Sequence, residues 1–126
     1  MGDPETLRAL LARVEGAAGA DEAMDDDLWA AFGNPNTGSL YDYTASVDAA
    51  LALVGRVMLE RMWTIGSVET GGYAASVEGP LKREASTPYG VGEFYREPMW
   101  CDHAPTPALA LLAALLRAKI AETEHG

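Results

Sequence analysis

A chain of 126 residues with 19 acidic and nine basic side chains, net charge −10, is sized for a single domain over residues 1–126 and can bury roughly two-thirds of its unfolded surface without disulfide staples. Its one cysteine, Cys101, excludes an internal disulfide and fits a reducing cytosol, and its longest apolar run, residues 108–116, is far short of the ~20 residues that a membrane-spanning helix needs. The acidic N-terminus lacks the basic start of a signal peptide, so the expectation is a cytoplasmic chain, and so negative a surface disfavours direct binding to a phosphate backbone.

Asp3, Pro4 and Glu5 make a helix start: aspartate accepts backbone N–H bonds and proline fits the first helical position. Leu7, Leu10, Leu11 and Val14 then fall on one helical face, and Gly16 and Gly19 end the helix. A second helix is expected over residues 21–32, with Met24, Leu28, Trp29 and Phe32 on its apolar face and Gly33 as its stop. Residues 33–42 read as a loop and residues 40–44 as a candidate edge strand. Ser46, with Thr44 as the alternative, caps a third helix whose face is Val47, Ala50, Leu51, Val54 and Met58. Asp48 in its first turn suits the helix dipole.

From about Arg61 the period changes. Residues 63–68 read as a strand, residues 70–72 as a turn, and Tyr73, Ala75 and Val77 alternate with Ala74, Ser76 and Glu78 in a second strand that Gly79 and Pro80 break. Residues 81–92 then form a long loop holding Lys82 and Arg83, the one adjacent basic pair. Residues 93–96 are a third strand, continued beyond Pro98 by residues 99–101. Thr106 or Asp102 caps the last helix and Pro107 takes its first position. Leu109, Leu111, Leu112, Leu115, Leu116 and Ile120 leave that helix little polar surface before Arg117 and Lys119, which places it centrally against the sheet. The stretches 43–54 and 104–118 resemble one another: each is a capped start followed at once by a densely apolar helix.

The acids are concentrated. Between Arg13 and Arg56 there is no Lys or Arg, while Glu15, Asp21, Glu22, Asp25, Asp26, Asp27, Asp42 and Asp48 fall in that interval. Asp21, Glu22, Asp25, Asp26 and Asp27 on the outer face of the second helix are candidate contacts for a basic protein partner; the competing reading is a solvated face that keeps the chain soluble. A second candidate site is the long loop, where Lys82 and Arg83 lie near the aromatics Tyr89, Phe94 and Tyr95 and could hold a small, nucleotide-like molecule.

Four pieces of the chain stand out together: Met24 and Asp25 with Leu28, Trp29, Phe32 and Gly33; residues 43–51; Trp63 followed by Gly71, Gly72 and Tyr73; and residues 104–117. In their order and spacing, over most of the chain, they resemble the phage ABA sandwich domain family. The long loop, and Leu112 and Ala113 where a cysteine-containing pair is expected, depart from it. The resemblance implies an α/β/α sandwich and a phage or prophage origin, and supplies no functional residues. The periodicity independently supports an α+β fold, a small antiparallel sheet flanked by helices.

Catalytic chemistry has little to build on. Cys101, Asp102 and His103 put a thiol, a carboxylate and an imidazole side by side, but Cys101 reads as a core residue and His103 as part of the cap loop. Successive helical aspartates such as Asp25, Asp26 and Asp27 diverge by about 100° each, so they do not converge on a cation. No metal, cofactor or catalytic residue is assigned. The expectation is a non-enzymatic phage or prophage accessory protein that binds a host or phage protein and interferes with a defence or regulatory system, with a small-molecule sponge as the alternative.

Overall fold

A computed structural model of the chain describes residues 4–32, 42–58, 60–69, 71–83 and 94–125. Three helices, α1 (Pro4–Gly16), α2 (Glu22–Phe32) and α3 (Val47–Val57), precede the strands β1 (Trp63–Ser67), β2 (Tyr73–Arg83) and β3 (Phe94–Ala104), and α4 (Pro107–His125) closes the chain. The class is α+β, with a three-stranded antiparallel sheet in the order β1-β2-β3.

Local chemistry sets the helix starts. Asp21 accepts from the Met24 N–H (3.1 Å), Ser46 from the Ala49 N–H (3.2 Å) and Thr106 from the Leu109 N–H (3.2 Å), each satisfying an orphan donor of the first turn. Thr106, not Asp102, therefore caps α4, and Asp102 belongs to β3. Residues 43–45 are a turn rather than an edge strand: Ala45 N–H and Ser46 N–H both donate to the Asp42 carbonyl at 3.0 Å. Leu40 and Tyr41 lie outside the described residues.

The core is layered around α4. Its Leu109, Leu111, Leu112, Leu115 and Leu116 are buried completely. One side packs on β2 and β3, and α1 and α3 pack elsewhere on α4. The ion pairs Arg8–Glu124 and Glu15–Arg117 join the start of α1 to the end of α4 and the end of α1 to the middle of α4, so the two helices run antiparallel. The helix α2 packs on α1. Only α4 makes extensive contact with the sheet among the described residues. Among the described residues the layers run sheet, α4, remaining helices.

Gly79 and Pro80 do not break β2. The register shifts between Glu78 and Leu81, so an extra residue of β2 is taken up in a bulge, and pairing resumes as Leu81↔Arg96, Lys82↔Tyr95 and Arg83↔Phe94. A bulge tolerates a proline, which has no N–H to give the ladder. Glycine is needed beside it: a Cβ on Gly79 would lie 2.9 Å from Met99 Cγ and 3.0 Å from the Glu97 carbonyl oxygen. β3 likewise runs unbroken through Pro98.

Candidate functional site

Strand alternation divides the sheet into two faces. Ala75, Val77 and Cys101, with partly buried Ile65 and Met99, point at α4. The opposite face carries cross-strand rows in which Thr64 and Trp100 flank Ser76, and Pro98 lies beside Glu78. Met62 lies across from Glu78, accepting its N–H at 3.0 Å and donating its own to Glu78 Oε1 at 2.8 Å. Beyond the bulge, Leu81 and Arg96 pair. No helix packs on this face among the described residues. Trp100 is 47% exposed, Leu81 54% and Met62 71%. Of the six large exposed hydrophobic residues among those described, five (Met62, Trp63, Leu81, Tyr95 and Trp100) lie on or immediately before strands.

The frame under this face is tightly held. Thr64 and Ser76 hydroxyls bond at 2.7 Å. Arg61 donates to the carbonyls of Glu78 (3.2 Å) and Gly79 (3.1 Å) and pairs with Glu122 of α4 at 3.0 Å. Arg96 donates to the same Gly79 carbonyl at 3.1 Å. Burial pushes the Glu122 carboxyl up, but the hydrogen bond from Arg61 and the charges of Lys119 and Arg61 together outweigh it and hold the group below its ordinary value. The bulge is thus tied to both neighbouring strand ends and to α4, so Leu81 and Met62 project from a fixed backbone.

The acidic candidates separate into different jobs. Asp21 is a helix cap. Asp25 is buried: its Oδ1 accepts from the Thr44 N–H and from the Thr44 hydroxyl, both at 2.8 Å. It is a clamp between α2 and the turn before α3, and it is removed from the outer acidic face. Asp27 pairs with Arg13 of α1. Glu22 and Asp26 are exposed, with no ion-pair partner among the described residues. Lys82 and Arg83 belong to the end of β2 rather than to a loop, and Tyr89 lies outside the described residues. The register sets Lys82 opposite Tyr95 and Arg83 opposite Phe94, so the basic pair and two of its three aromatic neighbours meet on paired strand ends. A shallow cleft of about 190 Å³ does lie between Ala20, Thr44, Val47 and Pro107, smaller than the roughly 300–1,000 Å³ of pockets that enclose drug-sized ligands.

The Cys101–Asp102–His103 segment forms no dyad. Cys101 is buried, its thiol pushed above its ordinary value by burial, and its S–H reaches the His103 carbonyl at 3.6 Å. The His103 ring is engaged elsewhere: Nε2 lies 2.8 Å from the Gly71 carbonyl, and since a carbonyl only accepts, Nε2 carries the hydrogen. This bond closes the β1–β2 turn, where Gly71 and Gly72 adopt φ of +96° and +89°. Among the described residues no group of three or more His, Cys, Asp or Glu side chains is placed to hold a metal, and no helix is long and apolar enough to cross a membrane.

The sequence reading placed Trp100 in the third strand without setting it among the candidate site residues, and the structure leaves it exposed. The alternation of Trp100 with buried Cys101 carried the signal. Compared with models of protein families, with curated protein sequences and with solved structures, the chain matches none.

Proposed function

We propose that this chain is a non-enzymatic protein-binding module that docks a basic partner on the open face of its sheet. The observation that carries the reading is the exposed set Trp100, Met62 and Leu81 on a face that no described helix covers. Tryptophan-centred patches on rigid frames are where binding energy concentrates in interfaces. A chain of net charge −10 selects a partner of opposite charge and speeds their encounter. The engagement of Cys101 and His103 in backbone contacts supports a role without catalysis. The resemblance to the phage ABA sandwich domain family supplies the setting: a phage or prophage accessory protein, acting in the host cytoplasm on a host or phage protein of a defence or regulatory system.

The test is photo-cross-linking in the cell. A benzophenone amino acid placed at Met62 should give a discrete adduct with a basic protein, and Trp100→Ala should abolish it. The same label at Asp26 on α2 serves as the control position. Adducts from Asp26 with none from Met62 would move the interface to the acidic helix.

A further inference from the structure

The two edges of the sheet are built differently. β3 is blunted as an edge: it contains Pro98, the charged residues Arg96, Glu97 and Asp102, and the register shift between Tyr73 and Ala75, which places an extra residue on β3. Each of these devices discourages a further strand. β1 has none of them. Its sequence, WTIGS, holds no charge and no proline, and its register with β2 is unbroken from Trp63 to Ser67.

The direction of the outer hydrogen-bonding groups of β1, unbonded among the described residues, follows from two backbone bonds. Glu78 N–H donates to the Met62 carbonyl, and Val68 N–H to the Gly72 carbonyl, both at 3.0 Å. In an antiparallel pair the inward-bonding positions alternate, so residues 62, 64, 66 and 68 face β2. Trp63, Ile65 and Ser67 therefore turn their N–H and C=O groups outward, on a strand whose side chains are exposed except for half-buried Ile65. The exposed acids Glu60 and Glu69 bracket this edge. Arg61, the one cation between residues 57 and 81, is turned inward to Glu122 and the bulge carbonyls.

From this geometry we infer that β1 accepts an extended basic segment of the partner as a fourth strand, with its main chain bonded to Trp63, Ile65 and Ser67 and its cations set beside Glu60 and Glu69. The inference rests on the protein-binding reading and adds the partner's local form: a strand with alternating basic and apolar side chains. Trp63 and Met62 then border the added strand, and its apolar side chains continue the open face. A second copy of this chain is the less suitable occupant, because it would bring Glu60 and Glu69 of a second chain of net charge −10 to an edge without an available cation.

The probe is a short acetylated and amidated peptide of alternating lysine and valine, and the readout is amide hydrogen exchange resolved by residue. At millimolar peptide, exchange should slow about tenfold or more at Trp63, Ile65 and Ser67. The amides of Thr64 and Gly66, already bonded to β2, report that the fold is intact. Ser67→Pro removes one outward donor at a position where an edge strand tolerates proline, and should weaken the peptide about tenfold. Trp63→Lys, which leaves the backbone unchanged and adds a repelling charge, should weaken it in the same direction. Unslowed exchange at all three amides overturns the inference, as does equal protection by the matching glutamate–valine peptide. So does protection that grows with protein concentration in the absence of peptide, together with a dimer in sedimentation. If Trp100→Ala abolishes the Met62 cross-link while Ser67→Pro leaves it intact, the face remains the docking surface and the added strand is refuted.

Discussion

The Asp25 clamp can be broken by one substitution. In Asp25→Ala the Thr44 N–H and hydroxyl lose a carboxylate acceptor that each reaches at 2.8 Å. Hydrogen bonds to a charged group contribute about 1.5–3 kcal/mol each, and a buried donor left without a partner carries its own desolvation cost. Thr44 is itself buried, so water does not readily replace the acceptor lost to its N–H, while its hydroxyl can turn to the Asp21 carbonyl at 3.3 Å. Alanine is the better helix former by up to ~0.7 kcal/mol, which offsets only a small part. The expected loss is about 3–5 kcal/mol, a large fraction of the 5–15 kcal/mol that holds a typical domain, with a fall in Tm of about 10–20 °C. Urea and thermal unfolding followed by circular dichroism measure it. Asp25→Asn keeps an oxygen acceptor and should lose less, about 1–2 kcal/mol, whereas Asp26→Asn, one residue on and exposed, should stay within about 0.5 kcal/mol of wild type. An Asp25→Ala protein that melts with the wild type would refute the clamp and return Asp25 to the acidic face.

Gly72→Ala should cost about 2 kcal/mol or more, because its φ is +89° and the new Cβ would lie 2.5 Å from His103 Nε2 and 2.8 Å from the Ala104 carbonyl oxygen; Gly71→Ala, at φ +96° but in open space, should cost only about 1–2 kcal/mol, and chemical denaturation separates the two. Leu112→Ala, in the middle of α4 and fully buried, should lower stability by about 2–5 kcal/mol, and a urea midpoint equal to wild type would contradict the central place of α4. Glu122 titrates below its ordinary value in the folded chain, so its contribution to stability is complete above the unfolded carboxylate value of about 4.3 and is lost as pH falls through the folded value; the stability gap between wild type and Glu122→Gln should be constant above about pH 5.5 and close in acid. Cys101, buried with its thiol pushed up, should resist iodoacetamide at pH 8 until urea unfolds the chain, and rapid alkylation of the native protein would show an activated thiolate instead.

The features legible in the sequence were the local ones. A cap is one side chain accepting from an N–H three residues on, so Ser46 and Thr106 could be read from their neighbours, whereas Asp21, grouped with the acids of the second helix, emerges as its cap only in the structure. The bulge was not, because Gly79 and Pro80 punctuate a turn and a bulge alike; only the register with β3 distinguishes them. Asp25 was readable in principle. It stands at i relative to Leu28 at i+3 and Phe32 at i+7, the stripe that is buried. Its composition matched Asp26 and Asp27, and grouping the three by charge hid the helical phase that separates them. What no local pattern supplied was the partner, Thr44, 19 residues away.

The open sheet face follows from how the apolar surface is distributed among the helices. α1 offers one buried stripe, Leu7, Leu10 and Val14, and α3 another, Ala50, Leu53 and Val54. A helix with one stripe can cover one surface. α4 is buried on nearly every side from Ala108 to Leu116, so it demands cover all round, which the sheet provides on one side and α1 and α3 provide elsewhere. Those two stripes are then occupied, and α2 has its own apolar face turned to α1. No apolar helix face is left among the described residues to lie on the second side of the sheet. Trp100, Met62 and Leu81 are exposed for that reason, and the partner proposed for this face would take the place of a further helix.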